Sequence, residues 1–372
     1  MRFSAVIGQE ELKQHLIDEV SNDKVSHAQL FLGKSGYGTL PLALAFVQYL
    51  FCTNRSESDS CGECDACRKI EKLQHPDLHF SFPAVQTISK TSDPLLADWR
   101  EQIAEEPYFN LSNWTRRIDP KERKPIISTQ ESAEIIKKLS LRSYEGGYKV
   151  MVVWMADEMN PACSNKLLKI IEEPPAKTLF ILIAESQEKM LQTILSRTQI
   201  VKVPRISIET LTTTLSARFN TSKDAAESVA ARSDGDAIEA MDHLGDHEDE
   251  NHNREQFIQL MRVCYKKNVL EMMNWSESIG AESKGRQKAF LKYALHMFRQ
   301  SMLRNYTEDH LTRVSAEEDA FLDKFAQFIS GNNVFGFMET FDKSYYHIER
   351  NANPKILFMN LCFQVMRYIH AA

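Results

Sequence analysis

The sequence predicts a doubly wound α/β domain over residues 1–206, followed by an entirely helical remainder. Three observations carry that prediction. Residues 150–155 and 178–184 are almost wholly apolar, as expected of parallel strands buried on both faces. A short apolar strand at 29–32 runs into a glycine-rich loop and then an apolar helix at 41–51. From about residue 207 the strand signal fades and helical periodicity replaces it.

Taken in order, Leu12, Leu16 and Val20 recur at helical spacing and predict a helix over 10–20. His75-Pro76-Asp77 leads into a strand at 78–82. Residues 84–126 are rich in Ser, Asp, Pro, Arg and Trp and read as an insertion with one short helix. Regular structure resumes with helices at 129–139 and 160–172, the second ending at Pro174-Pro175, and a last strand at 200–203. Three short helices follow at 208–220, 222–231 and 236–244, giving a small helical segment over 207–248. The polar run at 245–252 reads as an acidic, solvated linker. The remainder, 249–372, is helical: Phe257, Leu260, Met261 and Cys264 share one face, and Leu291, Leu295, Phe298 and Met302 share another.

Bulk properties narrow the class. A chain of 372 residues allows two or three domains, and 43% hydrophobic with 26% charged residues is ordinary for a soluble globular protein. The net charge of −6 argues against a generally basic nucleic-acid coat. The first residues lack the apolar core and cleavage site of a signal peptide, and no apolar run approaches the ~20 residues of a membrane span. A cytoplasmic protein without membrane contact is expected, and disulfides are rare there.

Gly33-Lys34-Ser35-Gly36-Tyr37-Gly38-Thr39-Leu40 has the outline of a phosphate-binding loop. In a working loop, G-x-x-x-x-G-K-[ST], backbone N–H groups face the phosphates, the Lys reaches the β/γ-phosphates and the hydroxyl holds Mg²⁺. Gly33 and Gly38 keep the spacing, with Gly36 between them. Thr39 replaces the Lys and Leu40 the hydroxyl. The scaffold of an ATPase without its chemical residues points to a protein that works with ATPases. ATP binding by this chain is not expected, although the loop's N–H groups can still attract an anion.

Four of the seven cysteines cluster as C-x8-C-x2-C-x2-C: Cys52, Cys61, Cys64 and Cys67. Thiolates two residues apart grip one tetrahedral ion from a tight turn, which Gly62 helps to form. The spacing predicts a structural zinc module over 52–67, closed by four protein ligands. An iron–sulfur cluster, reduced thiols or a disulfide pair are the alternatives. Cys163, Cys264 and Cys362 stand alone in apolar contexts and read as buried packing.

Val6-Ile7-Gly8-Gln9, His27-Ala28-Gln29-Leu30-Phe31, the glycine loop, the four-cysteine insert and Asn165-Lys166-Leu167-Leu168-Lys169-Ile170-Ile171-Glu172-Glu173-Pro174-Pro175 together resemble the delta-prime subunits of bacterial DNA polymerase III clamp loaders, an AAA+ family. The resemblance is strong over 1–83 and 126–203 and weak over the last third. It implies an AAA+-type domain, a helical lid (207–248) and a helical collar (249–372) of the kind that holds five subunits in a ring. It also implies partners: clamp-loader ATPase subunits, a clamp-opening subunit, and through them a sliding clamp and primed DNA.

In such a family a strand ends in Asp-Glu, whose carboxylates coordinate Mg²⁺ and activate water. Aligning on Asn165 puts Trp154 and Met155 at those two positions. Asp157-Glu158 falls in the following turn and reads as a solvated or capping pair. Neither Trp154 nor Met155 suits a hard cation. Ser196-Arg197-Thr198 resembles the family's Ser-Arg-Cys motif, which implies that Arg197 reaches a neighbour's ATP site as an arginine finger. Otherwise it is an Arg paired with a nearby carboxylate. The expected function is a non-hydrolysing clamp-loader subunit. Its rivals are an active ATPase with a divergent loop and a zinc-bearing DNA-binding adaptor.

Overall fold

The computed structural model describes all residues but 246, 307–315, 351 and 371–372; for 245, 247–251, 316–318 and 320 only the backbone is described. Contacts divide the chain into two units, Met1–Met241 and Asp242–Ala372. In the first unit, five parallel strands form one sheet in the order β2-β3-β4-β1-β5. They are β1 (Ala28–Leu32), β2 (Leu78–Ser81), β3 (Lys149–Trp154), β4 (Thr178–Ala184) and β5 (Gln199–Lys202). Every residue of β3 and β4 is buried, which is why both read as unbroken apolar runs.

Helices cover both faces: α1 (Glu10–Ser21), α2 (Thr39–Phe51), α3 (Asp65–Glu71), α4 (Leu96–Glu105), α5 (Leu111–Ile118), α6 (Thr129–Ser140), α7 (Pro161–Glu172) and the short α8 (Gln192–Leu195). Sequence periodicity misses α8, which is only one turn long. α7 starts where Asn160 accepts the Cys163 N–H at 2.7 Å and Pro161 supplies a first position that needs no donor. α9 (Ile208–Phe219), α10 (Lys223–Arg232) and α11 (Ala237–Gly245) follow, the first two capped by Ser207 and Ser222.

The 84–126 insertion holds two helices, α4 and α5, where the sequence predicts one. Asn110 closes a reciprocal cap at the start of α5, a signal too local to be read as a second helix from periodicity. The ends of the insertion meet in an antiparallel bridge, with Ala84 and Ile126 exchanging both N–H···O bonds at 3.1 and 3.0 Å. Its interior is aromatic. Trp99 stacks on Phe82 at 4.4 Å and meets Trp114 edge-on at 5.3 Å. Both rings are fully buried, and Trp114 Nε1 donates to the Pro83 carbonyl at 2.8 Å. Trp154, at the end of β3, lies 5.2 Å from Trp99 and 5.0 Å from Phe109.

The second unit comprises α12 (His247–Tyr265), α13 (Val269–Gly280), α14 (Lys284–Tyr306), α15 (Ala316–Phe325), α16 (Val334–Glu349) and α17 (Pro354–Ile369). The stretch read as an acidic linker is helical from His247, taken into the first turns of α12; Asp246 lies outside the described residues. Phe257, Leu260, Met261 and Cys264 are all buried, as their shared face predicts. In the second stripe Leu291 and Phe298 are buried and Leu295 is partly so, while Met302 is exposed. Phe257, Phe298, Phe325, Phe337 and Phe341 form the aromatic centre of this unit. Among the described residues no helix is long and apolar enough to cross a membrane.

Removing the keystone of the insertion should be felt far more than trimming its surroundings. Trp99→Ala is expected to cost about 3–5 kcal/mol by loss of a buried indole. Tyr144→Ala, at a largely exposed ring, should stay within about 0.5 kcal/mol. Chemical denaturation of the two variants beside wild type checks this.

Candidate functional site

The glycine loop follows β1 and opens α2, the strand–loop–helix setting that a phosphate loop requires. Gly38 takes φ +88°, a backbone region that favours glycine, and lets the chain turn into the helix. The Val6-Ile7-Gly8-Gln9 segment reaches the same place, with Gln9 Nε2 donating to the Tyr37 carbonyl at 3.0 Å and to the Pro204 carbonyl at 2.6 Å.

Within the loop, however, four backbone donors are already used, starting with the Gly33 N–H on the Ala184 carbonyl at 3.1 Å. Ser35–Tyr37 folds into a 3₁₀ turn, in which the Tyr37 and Gly38 N–H groups donate to the Lys34 and Ser35 carbonyls. The Ser35 N–H and hydroxyl both donate to Glu185 Oε1, at 2.9 and 2.6 Å. Thr39 is buried where a working loop carries its Lys, and Leu40 is buried where it carries the hydroxyl. Pro41 removes a further donor from the first turn of α2.

The strand end offers no carboxylate. Trp154 is fully buried among aromatic rings, and Met155 takes φ +54° before the turn at Ala156–Glu158. Asp157 and Glu158 lie beyond the strand, as the sequence register predicts, but they are not solvated. Asp157 is buried, accepts the Ser186 N–H at 3.2 Å through Oδ2, and has no hydrogen-bond partner for Oδ1. Burial pushes its carboxyl above the ordinary range. Glu158 pairs with Lys189 at 3.1 Å and Lys124 at 3.2 Å. Sequence reasoning misses this because the second cation comes from the insertion and the first from beyond β4.

Ser196 and Arg197 stand in the turn between α8 and β5. Arg197 Nε donates to Glu172 Oε2 at 2.9 Å, and Nη1 donates to the Thr193 carbonyl at 3.1 Å. Its side chain is 32% exposed and that of Glu172 55%. Ser196 Oγ donates to the Thr193 carbonyl at 3.2 Å, and the Thr198 hydroxyl closes onto Ile194 at 3.2 Å. The predicted Arg is therefore paired with a carboxylate at the end of α7, in a contact open to solvent.

The four predicted cysteines converge. Cys52 caps the C-terminus of α2 and Cys64 the N-terminus of α3. Their sulfurs lie within 4.8 Å of one another, with Cys52–Cys61 at 3.5 Å, Cys61–Cys67 at 3.9 Å and Cys52–Cys64 at 4.0 Å. Tetrahedral thiolates about 2.3 Å from a common ion would be about 3.8 Å apart, so the cluster can hold one metal. Backbone N–H groups of Cys61 and Cys64 point at the Cys52 and Cys61 sulfurs, both at 3.3 Å, as suits anionic ligands. Burial opposes ionisation of Cys64, but N–H donors from Cys67 and Thr53 outweigh it and bring the thiol to about 6. Cys163 is buried, and Cys264 and Cys362 are buried against each other, the Cys264 thiol donating to the Cys362 carbonyl at 3.3 Å.

Sheet order, the loop between β1 and α2, and the helices beyond define a nucleotide-binding-type α/β protein of AAA+-like architecture. A family model described as DNA polymerase III, delta subunit, matches residues 8–207, and the chain belongs to that family. The DNA polymerase III subunit delta' of Bacillus subtilis (strain 168) is 31% identical over 184 residues, 50% of this chain and 44% of that protein. The subunit delta' of Escherichia coli (strain K12) is 29% identical over 171 residues, 46% of this chain and 40% of that protein. The chain thus spans less than half the length of these relatives. A DNA polymerase III gamma subunit-related protein of Thermotoga maritima covers 97% of this chain and 100% of its own, at 14% identity and a TM-score of 0.43.

Two outcomes follow from this geometry. Elemental analysis should find about one metal ion per chain, lost on Cys64→Ser together with part of the thermal stability. For Asp157 the native state holds its proton more tightly than the unfolded chain. Stability therefore falls as pH rises from the ordinary 3.8 through the raised value. Asp157→Asn should flatten that fall and raise the melting temperature at about pH 7, because Asn keeps the acceptor for Ser186 without the buried charge.

Proposed function

We propose that this chain is a non-hydrolysing subunit of a replicative clamp loader that lends Arg197 to the ATP site of a neighbouring subunit. The observation that carries the first half is the strand end: Trp154 and Met155 occupy the positions of the metal-binding acids, and Trp154 is sealed inside aromatic packing. Thr39 and Leu40 remove the remaining two chemical groups of the loop. Four independent positions are lost, so neither Mg²⁺ nor the γ-phosphate has a partner here.

Three features support the second half. Arg197 lies in a turn after β4 and is partly exposed, and its ion pair is one that a docking subunit can exchange. A surface pair of this kind is worth about 0–1 kcal/mol, far less than charge stabilisation of a transferring phosphoryl group. The guanidinium stays charged and offers a planar fork to phosphate oxygens. In this reading 207–248 forms the lid and 249–372 the collar. The cysteine cluster carries structural zinc, and the partners are ATPase subunits, a clamp-opening subunit, the sliding clamp and primed DNA. The setting is cytoplasmic.

Arg197→Ala is expected to leave the melting of the purified chain unchanged. It should slow hydrolysis at the single site it serves by about 10³-fold or more in the assembled, DNA-stimulated complex. Arg197→Lys should rescue little, because the fork is lost. An unchanged rate in the assembly overturns the trans role, and ATP turnover by the purified chain overturns the non-hydrolysing one.

A further inference from the structure

We propose that the chain closes its own phosphate loop, so that its nucleotide site is shut by occupancy as well as by lost chemistry. This deepens the non-hydrolysing reading of the same loop: that reading needs only the missing Lys, hydroxyl and acids, whereas closure is a separate property with its own residues.

Three groups from three distant parts of the first unit converge on the loop. Glu185, just after β4, takes both the N–H and the hydroxyl of Ser35 with one oxygen. Asp236, at the start of α11, lies directly on Gly36: a Cβ built there would sit 1.7 Å from Oδ1 and 2.3 Å from the carboxyl carbon. Tyr108, from the 84–126 insertion, covers Gly38, where a Cβ would meet its ring and its hydroxyl at 3.2 Å. The same hydroxyl accepts the Ile7 N–H at 2.8 Å, and the ring is buried.

A phosphate loop works because its glycines leave an open concavity lined by N–H groups. Here the concavity holds two carboxylates and a phenol. Each carboxylate stands where an anion would be drawn and carries the charge that repels one. The N–H groups of Tyr37 and Gly38 are spent on the 3₁₀ turn. Ion pairing of Arg218 in α9 with Glu106, two residues before Tyr108, ties the insertion to the helices that carry Asp236. The N–H groups of Gly33, Ser35, Tyr37 and Gly38 are thus satisfied internally, and the Asp236 carboxylate covers Gly36.

The distinction yields a test that loss of chemistry alone would not pass. Fluorescent mant-ADP with Mg²⁺ is titrated into the purified full-length chain. Wild type and Thr39→Lys should both bind with Kd weaker than about 1 mM, because restoring the cation does not empty the loop. Thr39→Lys combined with Glu185→Ala and Asp236→Ser should bind at least about tenfold more tightly; Ser keeps the helix cap while withdrawing the charge. Binding by wild type tighter than about 1 mM, binding by Thr39→Lys alone as tight as by the combined variant, or no gain in the combined variant each overturns closure. A second readout needs no substitution at Thr39: inorganic pyrophosphate should slow amide exchange across 33–38 in Glu185→Ala and not in wild type. Slowing in both, or in neither, also overturns the proposal. None of these outcomes bears on Arg197, whose role is read in the assembled complex.

Discussion

The indole of Trp154 occupies the last position of β3, fully buried and within about 5 Å of both Trp99 and Phe109. Much of the arrangement at this end of the sheet depends on that contact. A carboxylate at this position would face the apolar insertion and would be expensive to bury without a partner. An indole there instead offers a large surface for Trp99 to pack on. Once the insertion is seated, Tyr108 is delivered to Gly38 and Glu106 to Arg218. The strand end and the glycine loop, which an ATPase joins through Mg²⁺ and phosphate, are joined here through protein side chains.

The cysteine cluster serves a different end of the same framework. α2 runs from Gly38 to Cys52, about 20 Å at 1.5 Å per residue, and its flanks are buried along nearly its whole length. Four convergent sulfurs fix its far end while the sheet fixes the near one. Under the proposed trans role of Arg197, rigidity of this kind matters, since a positioned guanidinium is useful only if its platform does not move.

Much of this was legible in the sequence. Buried parallel strands announce themselves as unbroken apolar runs, and cysteine spacing needs no long-range information, so β3, β4 and the cluster at Cys52, Cys61, Cys64 and Cys67 all fall where expected. The loop's missing Lys and hydroxyl are visible at Thr39 and Leu40. What filled the loop was not legible. Tyr108, Glu185 and Asp236 lie far apart in sequence, and each reads locally as an insertion residue, a strand-end residue and a helix cap. Only the fold brings them to one place. For the same reason Asp157 and Glu158 read as solvated, because the groups that bury and pair them come from Ser186, Lys189 and Lys124. The two helices of the insertion are held by tertiary aromatic packing rather than by a clear periodicity of their own.

The bridge between Ala84 and Ile126 gives the insertion a single narrow stem, so lengthening or deleting it need not re-register any strand. Trp154 removes that freedom. Excision would leave a bare indole at the mouth of the sheet, and a carboxylate restored there would have to coexist with the tryptophans of the excursion. The stem makes the length of this segment easy to vary, and the ring makes the segment hard to remove. Placing a carboxylate at the end of β3 therefore calls for simultaneous changes on two separate stretches of chain.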